Sequence, residues 1–148
     1  MNAETETAST AERWTREAEI TLPAGLMGFP EVKKLELIHQ VEELPFRWLR
    51  SSEDRALAFV VVQPDGLIPD YRLELTDEDA GDLGISDPGE ALVLNIVTVR
   101  GGDTEAATVN LIGPIVINRS TCVGRQVVLR NFHDYSARHP LVGQGVAR

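Results

Sequence analysis

Three histidines, one cysteine and a dense run of carboxylates are the side chains of this sequence with potential for catalysis or metal binding. His133 and His139 stand six apart, a spacing that does not set them side by side on a helix. On one strand they would share a face yet lie ~20 Å apart at ~3.3 Å per residue. His39 is remote in sequence from both, and no metal site is expected. Asp77-Glu78-Asp79-Ala80-Gly81-Asp82 has the look of a calcium loop. With Asp77 in first place, however, Asp82 occupies the glycine position and Pro88 the bidentate glutamate position. Capping of a helix is the better account of these acids. Cys122 sits in Ser120-Thr121-Cys122-Val123-Gly124, which reads as a hairpin loop. Arg119 and Arg125 are the cations that could activate its thiol, and an inert cysteine is favoured over a reactive one. Asn118-Arg119-Ser120 matches a glycosylation sequon by chance, since no route to secretion is visible. There is no phosphate-binding glycine loop ending in Lys and Ser/Thr, no GxSxG and no HExxH. Carboxylates abound between residues 63 and 90, but a general acid needs a sheltered pocket and these lie in polar, loop-rich sequence. The expectation is a protein without catalysis and without a cofactor.

Whatever the chain does must therefore be done by its surface, on a scaffold of 148 residues. That length suits one domain. A fold of this size buries roughly 68–70% of its unfolded surface and needs neither metal nor disulfide to hold together. With 43% hydrophobic residues it can fill a core, and with a single cysteine it can form no intramolecular disulfide or thiolate cluster. No stretch approaches the ~18 apolar residues of a membrane span. Residues 1–19 lack the basic start and apolar stretch of a signal peptide. A cytoplasmic protein is expected.

Charge is the most informative property of that surface. Fourteen Lys and Arg face 23 Asp and Glu, a formal net charge of −9. Nucleic-acid binding relies on cations that displace counterions from phosphate, so direct binding of RNA or DNA is disfavoured. Basic protein surfaces are the natural partners of such a chain. The charge is also concentrated. Residues 63–90 hold nine acids against Arg72 alone, whereas residues 106–148 hold five arginines against Asp134 alone. A solvated acidic face kept for solubility is the competing explanation.

The elements that position this surface read as strands. Residues 1–19 are polar, without period-2 alternation, and suggest a frayed tail. A short helix near residues 10–18, with Trp14 docked on the body, is the alternative. Short strands follow at residues 20–22, 35–37 and 46–49. Residues 57–62 are apolar and rich in β-branched side chains, as in a central strand covered on both faces. Residues 91–99 are similar, with Asn95 and Thr98 as the only polar members. Residues 109–112, 115–118 and 126–130 complete the set, with Gly113-Pro114 as a bend between two sheet regions. Thr76 offers a helix N-cap, with Asp77, Glu78 and Asp79 over the positive end of the dipole and Gly84 as a left-handed stop. The pattern predicts an all-β fold, a small β-barrel-like or sandwich domain with one short helix. Its body spans residues 20–141, and residues 142–148 form a short tail.

One segment stands out as a docking surface. Pro64-Asp65-Gly66-Leu67-Ile68-Pro69-Asp70-Tyr71 sets Leu67, Ile68 and Tyr71 beside carboxylates on a loop braced by prolines. Apolar groups would supply affinity and charges orientation. A loop folded over the barrel end to close the core is the equal alternative. Pro64, Leu67, Ile68, Asp70, Tyr71, Asp77, Glu78 and Asp79 are the candidate partner-binding residues.

A series of motifs resembles the FliW family of flagellar assembly factors. It comprises Gly25-Leu26-Met27-Gly28-Phe29, Pro45-Phe46-Arg47-Trp48-Leu49 with Ser51-Ser52-Glu53-Asp54, and Leu57-Ala58-Phe59-Val60-Val61-Val62. Ile68-Pro69-Asp70-Tyr71 and Val93-Leu94-Asn95-Ile96-Val97-Thr98-Val99 follow, then Asn110-Leu111-Ile112-Gly113-Pro114-Ile115-Val116-Ile117-Asn118. Gly124-Arg125-Gln126-Val127-Val128-Leu129 and Arg138-His139-Pro140-Leu141 close the series. Met27 stands where the family often has Pro, and Gly113 where it often has Ala. The resemblance implies a β-barrel-like cytoplasmic protein without catalytic activity. It also implies two partners: the RNA-binding translational regulator CsrA, which represses flagellin translation, and flagellin itself. In the implied switch, abundant flagellin occupies the factor and leaves CsrA free to repress. Once flagellin is exported, the freed factor captures CsrA and translation resumes. A chaperone dedicated mainly to flagellin, with Leu67, Ile68 and Tyr71 shielding an aggregation-prone end, is the alternative.

Overall fold

The computed structural model describes residues 13–100 and 103–141. The elements are β1 (Thr15–Thr21), β2 (Lys34–His39), β3 (Arg47–Ser51), β4 (Ala58–Val62), α1 (Asp77–Leu83), β5 (Ala91–Arg100), β6 (Asp103–Val109), β7 (Ile115–Asn118), β8 (Gly124–Gln126) and β9 (His139–Pro140). All ladders are antiparallel, in the order β1-β2-β3-β4-β5-β6-β9, and β7 and β8 branch from β5.

The ten-residue β5 makes this branching possible. Its first half, Ala91 to Leu94, pairs with β7, and its second half pairs with β4 and β6. The sheet thus turns a corner along one strand and curls until the end of β1 reaches the turn before β8. They meet at a single bridge, Thr21 to Val123, with the Thr21 amide donating to the Cys122 carbonyl at 3.0 Å. Among the described residues no full ladder closes the seam, so the barrel-like or sandwich domain expected from the sequence is an open, curled antiparallel sheet and not a closed barrel. All-β architecture with one short helix is what the sequence predicts.

Alternation along β4 shows how one strand serves two cores. Val61 lies opposite Ile96 and joins Ile20, Leu35, Leu49 and Leu94 inside the curl. Val62 points the other way, to a second core with Ile68, Val97, Val109 and Leu111. Both valines are fully buried, the two-sided burial expected of this apolar run. A third, smaller core forms where Leu83 of α1 meets Val116, Val127 and Leu129.

β1 starts at Thr15, so residues 15–19 belong to a strand and not to the expected tail; the part of that tail before Arg13 lies outside the described residues, as do residues 142–148. The ladder slips between Arg16 and Ala18, a bulge that sets Glu17 on its own. Glu17 accepts from Arg47 Nε at 2.8 Å and lies 2.7 Å from His39 Nδ1. Trp14 docks on the body, edge-on to Trp48 at 6.4 Å, but as the lead-in to this strand and not on a helix. The strand expected at residues 109–112 ends at Val109. There the Asn110 side chain accepts from the amides of Ile112 and Gly113, both at 3.0 Å, and turns the chain out of β6 ahead of Pro114. Likewise β8 stops at Gln126, and residues 127–130 bond singly to Pro114, Ile112 and Glu74.

Candidate protein-binding site

The rim expected to bind partners is built from residues 64–71 and α1. The loop turns at Pro64, whose carbonyl accepts from the amides of Leu67 and Ile68, both at 2.9 Å. Its apolar side chains face inward. Ile68 is 6% exposed, and Leu67 and Tyr71 pack half-buried against the same second core. All three thus pack over the end of this core, with Leu67 and Tyr71 still partly open to solvent. Pro64 is buried as well, which leaves Asp65, Pro69 and Asp70 as the loop's exposed side chains.

Two tyrosines lock this arrangement. The Tyr71 hydroxyl donates to the Leu111 carbonyl at 2.6 Å and accepts from Asn95 Nδ2 at 3.1 Å. Asn95, wholly buried on β5, also donates to the Asn110 carbonyl at 2.9 Å. Tyr135 meets Tyr71 edge-on at 4.9 Å. Its hydroxyl accepts from the Arg72 amide at 2.7 Å and donates to the Asp70 carbonyl at 3.3 Å. Asp70 is thereby held at a φ of 61°, a left-handed conformation that aspartate tolerates better than most residues. Burial pushes the Tyr71 hydroxyl up to about 12, against the opposing hydrogen bond from Asn95 and with a smaller push from Tyr135. It stays protonated as a structural donor. Sequence reasoning missed Tyr135, since its partners lie more than 60 residues away in the chain.

The helix forms as its caps dictate. Thr76 Oγ1 accepts from the Asp79 amide at 3.1 Å, and Gly84 ends the helix at a φ of 70°. Leu83 anchors it to the third core, and Asn118 Nδ2 donates to the Leu83 carbonyl at 2.9 Å. Arg125 of β8 reaches both Asp79 and Asp82 at 3.0 Å. Asp79 is therefore partly neutralised within the chain. Asp77 and Glu78 are exposed and make no ion pair among the described residues.

Pro64, Ile68, Asp70 and Tyr71 line one groove of about 740 Å³, floored by Ala91 and Val93 and bordered by Arg72 and Arg119. Leu67 and the α1 carboxylates lie outside its lining, so the structure brings together four of the eight candidates. The groove holds carboxylates and guanidinium groups but no histidine or cysteine to act as nucleophile or base. Among the described residues no three metal-ligating side chains converge. Cys122 is half-buried at a φ of 60° in the β7–β8 turn, and its carbonyl holds the sheet's seam. No helix among the described residues is long and apolar enough to cross a membrane.

The sequence and the fold have close counterparts among flagellar assembly factors. The family model described as "FliW protein" matches residues 3–141. The flagellar assembly factor FliW of Leptospira interrogans is 40% identical over 123 residues, 83% of this chain and 81% of that one. The same factor of Natranaerobius thermophilus is 38% identical over 122 residues, 82% of this chain and 80% of its own. That of Thermotoga neapolitana is 40% identical over 117 residues, 79% and 78% of the two chains. A crystal structure of the flagellar assembly factor FliW superposes with a TM-score of 0.73 at 34% identity, covering 83% of this chain and 84% of that one. The open antiparallel sheet thus coincides with a match in family, sequence and structure: this chain belongs to the FliW family of flagellar assembly factors.

Proposed function

We propose that the chain is a cytoplasmic regulatory binding protein that engages a CsrA-type translational regulator and, alternately, flagellin. Bound flagellin withholds the factor; when flagellin leaves the cell, the factor takes up CsrA and flagellin translation resumes. The observation that carries this reading is the acidic rim of an acidic family member. Asp65, Asp70, Asp77 and Glu78 stand exposed along residues 63–90, with their backbone fixed by caps and tyrosine hydrogen bonds. A protein that holds RNA phosphates must carry cations, and a pre-positioned array of carboxylates attracts and orients such a surface. The buried packing of Leu67, Ile68 and Tyr71 supports a bracing role for them and leaves contact to Asp70, Asp77, Glu78 and part of Asp79.

For the factor to relieve repression it must prefer RNA-free CsrA, by ~1–3 kcal/mol in a typical coupled system. The test is titration of the purified chain with CsrA and with monomeric flagellin, separately and in competition. Binding of each, with flagellin displacing CsrA from the factor, is the expected result. A chain that binds neither at low ionic strength overturns the reading, and one that binds flagellin alone favours a dedicated chaperone.

A further inference from the structure

A second groove, of about 720 Å³, lies between β4, β5 and β6 on one side and the turn of residues 25–29 on the other, where Phe59 and Ile96 continue the first core outward. Its outer wall is the turn of residues 25–29. Leu26 and Phe29 exchange backbone hydrogen bonds at 3.0 and 2.8 Å, and the Met27 amide donates to Gln126 Oε1 at 2.8 Å across the molecule. Gly25 takes a φ of 72° there, and a Cβ on it would overlap the Pro30 backbone. The turn is thus tied at both ends. What it holds into solvent is apolar: Met27 is 54% exposed and Phe29 36%, the latter edge-on to Phe59 at 5.2 Å.

Two of the polar side chains that line the groove, Gln126 and Asn110, bond within the chain, and the Thr98 and Thr108 hydroxyls are neutral groups on its wall. Gln126 bonds Met27 and, through Nε2, the Gly113 carbonyl at 3.0 Å, while Asn110 caps the bend after β6. One charged group remains, Arg138, exposed on the rim and in no ion pair among the described residues. In a chain with 23 acids, no carboxylate lines this groove among the described residues. Its electrostatic preference is therefore opposite to that of the acidic rim. A methionine beside an aromatic wall is an adaptable apolar contact, and a lone guanidinium pairs best with a carboxylate.

We propose that this groove is a second docking surface. It takes a polypeptide segment with an apolar face flanked by a carboxylate, the apolar side chains resting between Met27 and Phe59 and the carboxylate on Arg138. This rests on the two-partner reading and assigns to flagellin a surface separate from the acidic rim.

The probes are monomeric flagellin, CsrA, and a synthetic amphipathic peptide with a leucine face and glutamate flank, alongside its lysine twin. With only two methionines in the chain, the Met27 methyl is readily followed by NMR. The expected result is a shift of that methyl with flagellin and with the glutamate peptide but not with the lysine twin. Met27→Glu and Arg138→Glu should each weaken flagellin binding about tenfold and leave CsrA affinity within about twofold. Both side chains are exposed, and far-UV circular dichroism checks that the variants fold. Flagellin binding that leaves the Met27 methyl unmoved and both variants unaffected overturns the groove and spares the two-partner reading. A glutamate peptide that titrates Met27 while flagellin binds nowhere sustains the groove and removes flagellin as its occupant. A wild-type dimer abolished by Met27→Glu would show a second copy on this face and overturn the proposal.

Discussion

Replacing Tyr71 by phenylalanine removes one oxygen from the joint that fixes the acidic rim and leaves its packing in place. The ring stays against Tyr135 and the second core, so the change isolates two hydrogen bonds. Asn95 Nδ2 keeps its bond to Asn110, but the Leu111 carbonyl, on a residue 1% exposed, loses the Tyr71 hydroxyl. An unmet buried carbonyl costs ~1–3 kcal/mol, and we expect a loss of about 1–2 kcal/mol. At a typical urea m-value of ~2 kcal/mol/M this lowers the unfolding midpoint by about 0.5–1 M. The alkaline limb gives a second check. The folded-state pKa of Tyr71, about 12, lies above the unfolded value of 10.0, so the folded chain holds this proton more tightly. Its contribution is fully present below pH 10 and is lost as pH rises toward 12. The stability gap between wild type and Tyr71→Phe should therefore be constant to about pH 9 and narrow above it. Equal midpoints at neutral pH, or a gap that does not change between pH 9 and 12, would refute this account of the rim.

Two further substitutions probe the supports. Thr76→Ala deletes the hydroxyl that receives the Asp79 amide and should cost ~0.5–2 kcal/mol in urea unfolding, whereas Thr76→Ser should restore most of it. Gly25→Ala forces a Cβ into a left-handed position against Pro30 and should lower stability by at least ~1 kcal/mol, measured by thermal unfolding.

Local signals in the sequence carried most of the architecture. The β-branched run at β4 and the Thr76 and Gly84 caps of α1 depend on neighbours in the chain, and the structure places them as expected. The first part of β1 was hidden because Arg16, Glu17 and Glu19 interrupt any apolar alternation. Those charges are accommodated by partners on other strands, Glu36 for Arg16 and Arg47 for Glu17, which no local pattern announces. The packing of Leu67, Ile68 and Tyr71 was one of two readings left open, since distant partners in the second core, such as Leu111 and Tyr135, are not visible locally. The split of the acidic helix was hidden for the same reason: Arg125, 46 residues beyond Asp79, takes up Asp79 and Asp82 and leaves Asp77 and Glu78 as the outward charges.

Recruitment of a basic polypeptide by the fixed anionic rim, as proposed above, is a matter of encounter kinetics. It is tested most directly by the association rate with purified CsrA across a salt series, for wild type and for the double change Asp77→Lys and Glu78→Lys. The wild-type rate should fall steeply with ionic strength, and the variant should start at least about fivefold slower at low salt and decline less. Identical rates and identical salt slopes for the two proteins would contradict recruitment by the rim.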